Sequence, residues 1–271
     1  MCENPTVQTL EDAPPATRRE RRATPPPKRR RRVSVIGVIG EILMTAGVIV
    51  FLYVAWQMWI GDLITGAQAN AESHELSQSW AQEYDPAPPI ADPAVPEAEP
   101  VTAEPPILPQ PADAETFAVM YIPRFGADYT REIAGGTTRP RTLDTNRIGH
   151  YTDAAMPGEV GNFSLAAHRT TYGAPFNRLA ELHVNDAIVV ETQDGWYTYR
   201  FRTLEYVRPS EVEVLADVPQ APDVPAGERY ITLTSCSPMF SLAERIIGYG
   251  LFEGFTPRSA GPPASLTEAV V

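Results

Sequence analysis

Arg229-Tyr230-Ile231-Thr232-Leu233-Thr234-Ser235-Cys236-Ser237-Pro238 decides the fold. Residues Tyr230 to Thr234 are aromatic or β-branched enough to predict a strand, and Pro238 cannot continue a ladder. Cys236 is therefore expected where a strand meets its loop, a place where side chains are displayed. Nine residues later Arg245 opens Ile246-Ile247-Gly248-Tyr249-Gly250-Leu251-Phe252, which reads as a second strand running back past the first. That return brings an arginine near the thiol.

Working outward, 117–122 reads as a strand stopped by Pro123, and further strands are expected at 162–167, 187–192, 196–207, 229–235 and 246–252. Asp194-Gly195 between two of these runs is a hairpin turn, and 175–182, with Pro175 near its start, is a short helix candidate. Six to eight short strands in about 140 residues place the domain in the mainly β class, as a closed barrel or a sandwich.

The chain before this domain has a different character. Residues 1–34 hold nine Lys/Arg against four Asp/Glu and lack periodicity, so a disordered basic tail is expected; the whole chain nevertheless carries a net charge of -12. The run 42–60 is free of formal charge, and at 19 residues it would make a helix of about 28 Å, close to the thickness of a bilayer core. A transmembrane helix is assigned to 35–60. Arg29 to Arg32 precede it and Asp62 follows, so the positive-inside rule puts the tail in the cytoplasm and the rest outside. A cleaved signal peptide is the competing reading, but its apolar core would be shorter and its basic leader far shorter. Residues 61–115 are expected to be an extracellular stalk, in which the polar 61–84 extends a helix briefly and 85–115, rich in Pro, Ala and Glu, is a spacer; 257–271 is expected to be a disordered tail.

A free thiol is mostly protonated at neutral pH, so a nucleophilic Cys236 needs a base or a cation. His168 follows the apolar run Phe163-Ser164-Leu165-Ala166-Ala167, which puts an imidazole at a strand end. Arg245 never gives up its proton, and its planar fork suits an oxyanion. Taken singly, each has a plainer reading: Cys236 as a buried small hydrophobe, His168 as a structural histidine, Arg245 as a strand arginine that is solvated or paired with Glu244.

Together, Thr232-Leu233-Thr234-Ser235-Cys236, Arg245 and Ala166-Ala167-His168-Arg169-Thr170 resemble the sortase family of cysteine transpeptidases over residues 116–256. The run from His168 through Thr171-Tyr172-Gly173-Ala174-Pro175-Phe176 looks most like class E, the actinobacterial housekeeping type. The resemblance implies a closed eight-stranded β-barrel with a groove at one end. It also implies catalytic roles for Cys236, His168 and Arg245, with Tyr172, Thr234 and Ser235 against substrate. The implied reaction is cleavage of an LAxTG- or LPxTG-like sorting motif between Thr and Gly through a Cys236 thioester, followed by transfer to a cell-wall peptidoglycan amine. Partners would be surface proteins bearing the motif, the wall amine and the cytoplasmic membrane.

Two positions depart from the family pattern, Ser235 where Thr usually precedes the cysteine and Ser237 where class E often has His. A pilin-polymerising sortase with a lysine acceptor is an alternative, but Asp85-Pro86-Ala87 and Asp92-Pro93-Ala94 lack the aromatic residue of such enzymes' lids. A non-catalytic wall-binding barrel is another. His150, in Gly149-His150-Tyr151, is read as support for the groove. No cofactor or metal is expected, because Cys236 and His168 make only two possible ligands and no close Cys or His pair occurs. The terminal arginines lie outside the folded part, so no nucleic-acid partner follows from them. Cys2 and Cys236 offer no disulfide framework.

Overall fold

The computed structural model describes residues 34–56, 61–84 and 104–268. The basic tail and the two Asp-Pro-Ala sequences fall outside the described residues. Helix α1 (Val35–Ala55) is long and apolar enough to cross a membrane. It starts seven residues before the uncharged run and takes in Glu41. The last residues of the span assigned from sequence, 57–60, lie outside the described residues.

Helix α2 (Asp62–Glu83) lies within 61–84, where a brief helical extension is expected, but it packs on the barrel. Gly66, Ala69, Asn70, Ser73 and Ser77 recur every three or four residues, so one face is lined with small side chains that let the helix backbone come close to a sheet. Ala69 and Ser73 are buried, and a Cβ on Gly66 would come within 3.1 Å of Arg131 Nη2. The Asn70 carbonyl accepts a hydrogen bond from Thr130 Oγ1 at 3.2 Å, and its amide oxygen accepts one from Arg131. Small polar residues produce no hydrophobic periodicity, which is why this face reads from sequence as mere polarity.

Eight strands close a barrel in the order β1-β2-β3-β4-β7-β8-β6-β5. They are β1 (Thr116–Tyr121), β2 (Thr130–Gly135), β3 (Ile148–His150), β4 (Gly161–Ala166), β5 (Ala187–Glu191), β6 (Gly195–Val207), β7 (Arg229–Ser237) and β8 (Glu244–Pro257). Two contacts are parallel, β2 with β3 and β4 with β7; the others are antiparallel. The expected Asp194-Gly195 turn joins β5 to β6, and Gly195 has φ +152°, a conformation L side chains rarely adopt.

Side chains alternate across each strand, so Phe163 and Leu165 of β4 and Ile231 and Leu233 of β7 fill the interior beside Tyr197, Tyr199 and Phe201 of β6. Strands β2 and β3 were not anticipated. β2 carries Arg131 and Glu132 within six residues, and β3 is three residues long, too short for any period to register. The helix candidate at 175–182 contributes only a 3-10 turn, Leu179–Glu181; Phe176 and Leu179 reach into the core from turns.

Both ends of the barrel segment extend beyond the expected 116–256. Residues 104–115 lie on the barrel: the Pro106 carbonyl accepts from Tyr197 Oη at 2.6 Å, Gln110 donates to Ala154 O at 2.7 Å, and Asp113 bridges to Gly135. Gly135 tolerates that approach because a Cβ there would stand 2.3 Å from Ala112 O. The described part of the expected disordered tail is likewise packed. Arg258 reaches back to an ion pair with Glu191 at 2.9 Å, with side chains 5% and 1% exposed, and stacks over the Trp196 ring at 4.8 Å. Ser265 meets Thr198 at 3.2 Å, and Glu268 takes a bidentate pair from Arg200. The tail's composition concealed this, since one buried arginine, one serine and one glutamate anchor it.

Candidate active site

Strands β4 and β7 run in parallel with Ala166 opposite Thr234, so continuing the register two residues sets His168 level with Cys236. Ala167 N donates to Thr234 O at 3.2 Å, and Ser235 Oγ donates to Ala167 O at 2.8 Å, which holds the end of β4 against β7. Ile231 and Leu233 point inward, so Thr234 and Cys236 face outward, and Phe163, Leu165 and Ala167 put His168 on that same outer face. Across the antiparallel β7–β8 ladder Cys236 is the direct partner of Arg245. Three residues far apart in sequence thereby share one face at one end of the barrel.

They line a cleft of about 570 Å³ together with Tyr151, Arg139, Arg169, Thr234, Phe240 and Leu242. Cys236 is a free thiol, partly exposed. Arg245 is not paired with the neighbouring Glu244 carboxylate: its Nη1 donates to main-chain oxygens, Glu244 O at 2.9 Å and Leu242 O at 3.2 Å. Among the described residues its Nε and Nη2 have no partner, and these two nitrogens form the edge that grips two oxygens at once.

His168 Nε2 lies 2.7 Å from Asp144 Oδ1. Burial pushes the Asp144 carboxyl up, but the hydrogen bond with His168 and the nearby Arg139 guanidinium together hold it below its ordinary value. The ring of Tyr172 stacks on His168, with centroids 5.1 Å apart and planes at 28°. Tyr172 is 41% exposed and has φ +52°, a left-handed turn followed by Gly173.

Thr234 and Ser235 line the cleft but are nearly buried, and their hydroxyls are engaged within the protein. Thr234 Oγ1 donates to Leu165 O at 3.0 Å and meets Tyr151 Oη at 3.1 Å. His150 is buried between the Phe117 and Phe163 rings, with Nε2 3.1 Å from Ala155 O; burial pushes its imidazole toward the neutral form. It supports the barrel wall, and its neighbour Tyr151 is the residue that reaches the cleft. Arg169 is 9% exposed, donating from Nε to Asn177 O at 2.8 Å while Asn177 Nδ2 returns a bond to Arg169 O at 3.0 Å. Asp144, Tyr151 and Arg169 were not singled out from sequence. Asp144 is one of 34 acidic residues, and nothing local marks it as the one that folds against His168.

The family model described as Sortase domain matches residues 120–252. Among solved structures, the SrtA sortase from Actinomyces oris is 36% identical, with a TM-score of 0.58 over 62% of this chain and 96% of that one. The chain belongs to the sortase family. Sortase E1 from Streptomyces coelicolor, solved with a tripeptide in its active site, is 38% identical with a TM-score of 0.54, over 58% of this chain and 99% of that one. Sortase SrtE1 of Streptomyces coelicolor is 36% identical over 234 residues, which cover 84% of this chain and 60% of that relative's length. SrtE2 of the same organism is 29% identical over 222 residues, 79% of this chain and 81% of SrtE2. These relatives place this sortase in class E, and the family is one of cysteine transpeptidases. The closed eight-stranded barrel expected from the resemblance is the barrel observed.

Proposed function

We propose that this sortase is a membrane-anchored transpeptidase that cleaves a C-terminal LAxTG- or LPxTG-like sorting motif between Thr and Gly and joins the protein to a peptidoglycan amine. The observation carrying this reading is the placement of Cys236, His168 and Arg245 on one outer face of the barrel, around a cleft of about 570 Å³. In the first step Cys236 Sγ attacks the threonine carbonyl, the C–N bond breaks, and the released amine takes a proton from His168. In the second, an incoming amine attacks the thioester, gives a proton to His168 and restores the thiol. Arg245 meets the oxyanion in both steps with the Nε and Nη2 edge, its Nη1 already tied to the β7–β8 loop. Tyr172 packs against both His168 and the bound peptide, and Thr234 and Ser235 form the floor beneath it.

The assay is a peptide ending in Leu-Ala-Xaa-Thr-Gly with a soluble amine. His168→Ala is expected to lose turnover with the barrel intact, because the imidazole lies at the rim. Arg245→Lys keeps the charge and loses the fork, so kcat is expected to fall on the order of 100-fold, about 2.7 kcal/mol, with KM little changed. A normal kcat for Arg245→Lys would remove Arg245 from the oxyanion role.

The same reading places α1 in the membrane with its arginine-rich leader in the cytoplasm and the barrel outside. A membrane-impermeant thiol reagent applied to intact cells is then expected to label Cys236 and to leave Cys2 untouched. Labelling of Cys2 in sealed cells would reverse the topology.

A further inference from the structure

We infer that Asp144 is a positioning residue for this chemistry: it holds the Nε2 proton of His168 and thereby commits Nδ1 to Cys236 and to the amines that leave and enter. The inference rests on the transpeptidase reading above. Its geometry is independent of it.

The hydrogen bond between His168 Nε2 and Asp144 Oδ1, 2.7 Å long, has the length of a charge-assisted contact. The carboxylate is fixed there by its own turn. Asp144 N donates to Arg139 O at 2.7 Å, Leu143 N to Thr138 O at 3.2 Å, and the buried Thr142 donates from Oγ1 to Gly135 O at the end of β2. Asn146 closes the turn at φ +65°, a conformation asparagine tolerates. A loop anchored to β2 thus presents one carboxylate oxygen to an imidazole anchored to β4.

Charge explains why a carboxylate is needed. Among the described residues the cleft is lined by Arg139, Arg169 and Arg245 and by no acidic side chain. Around His168, the loop after β4 supplies Arg169 and Tyr172, the segment before β3 supplies Arg139 and Asp144, β7 supplies Cys236, β8 supplies Arg245, and Tyr151 comes from the end of β3. Protonating His168 adds another positive charge among three guanidiniums. Among the described residues Asp144 is the one group hydrogen-bonded to the ring that stabilises that charge; like an ordinary carboxylate it is ionised at neutral pH, and its carboxyl is held below the usual range by His168 and Arg139.

Proton bookkeeping then assigns the two ring nitrogens. Nε2–H stays with Asp144 throughout. Nδ1 takes the proton of the Cys236 thiol as Sγ bonds to the threonine carbonyl carbon, and delivers it to the departing glycine nitrogen as the C–N bond breaks. It takes a proton again from the entering amine as the thioester C–S bond breaks, and returns it to Sγ. Asp144 changes neither its protonation nor its bonds, which is the role of an orienting carboxylate in nucleophile–histidine sites generally.

The test uses the full chain in non-ionic detergent with ¹⁵N-labelled histidine. In the unmodified protein near neutral pH the His168 spectrum is expected to place a proton on Nε2; a bare Nε2 with the proton on Nδ1 overturns the inference without any variant. Asp144→Asn keeps an acceptor oxygen but removes the charge. It is expected to lower kcat by at least about 10-fold and by up to about 10⁴-fold with KM little changed, and Asp144→Glu is expected to recover part of the loss. A kcat for Asp144→Asn equal to that of the unmodified protein also overturns it. If the unmodified protein transfers no peptide at all, the transpeptidase reading fails, while the nitrogen spectrum still decides whether Asp144 holds the Nε2 proton.

Discussion

Cys236→Ala is expected to abolish both peptide cleavage and acyl transfer while leaving the barrel folded. The thiol is partly exposed at the rim of the cleft, and the core below it is filled by Ile231, Leu233 and Ile246, none of which depends on Sγ. Truncation to the methyl of alanine therefore removes the nucleophile with little packing cost. On the proposed topology no second thiol can substitute, because the one other cysteine of the chain is Cys2, ahead of α1. The measurement is turnover of the sorting peptide with circular dichroism as the folding control. Near-normal turnover by a folded Cys236→Ala protein would remove the enzyme reading.

The second large effect is structural and sits far from the cleft. Arg258 Nη2 pairs with Glu191 Oε1 at 2.9 Å, and Glu191 also accepts from Tyr121 Oη at 2.6 Å. Both charged side chains are almost wholly excluded from water. Removing one member of such a pair leaves the other as an uncompensated buried charge, which costs about 3–5 kcal/mol, whereas an exposed pair contributes less than about 1 kcal/mol. Arg258→Ala is thus expected to destabilise the domain by about 3–5 kcal/mol in urea unfolding, and truncation after Thr256 by a similar amount. The control is Glu181→Ala at the exposed Arg178–Glu181 pair, where the expected loss is under about 1 kcal/mol. Equal losses for Arg258→Ala and Glu181→Ala would mean that the packed tail adds nothing to the barrel.

The long strands were legible because their residues announce a period of two: Phe163, Leu165, Ile231 and Leu233 alternate into the core, and Asp194-Gly195 states its turn. The three residues around the cleft were legible because a motif keeps their types and order. What stayed hidden has a common physical cause. Gly66, Ala69, Asn70 and Ser73 dock α2 through smallness and not through hydrophobicity, Arg258 anchors the tail through one ion pair, and Asp144 reaches His168 only because β2 and β4 bring two loops together. Close backbone approach, a single buried charge pair and loop-to-loop contact leave no periodic trace in a chain. On this ground the packing of α2 and of residues 104–115 on the barrel, within the stretch read as a stalk, left no trace in the sequence.

The measurement that reaches the centre of the mechanism is the intact mass of the protein after incubation with the Leu-Ala-Xaa-Thr-Gly peptide and no amine acceptor. The expected result is an adduct equal to the peptide up to its threonine acyl group, mapped to Cys236, discharged by added amine and absent from Cys236→Ala. Peptide cleavage with no adduct at Cys236, or an adduct that persists when Cys236 is replaced, would contradict it.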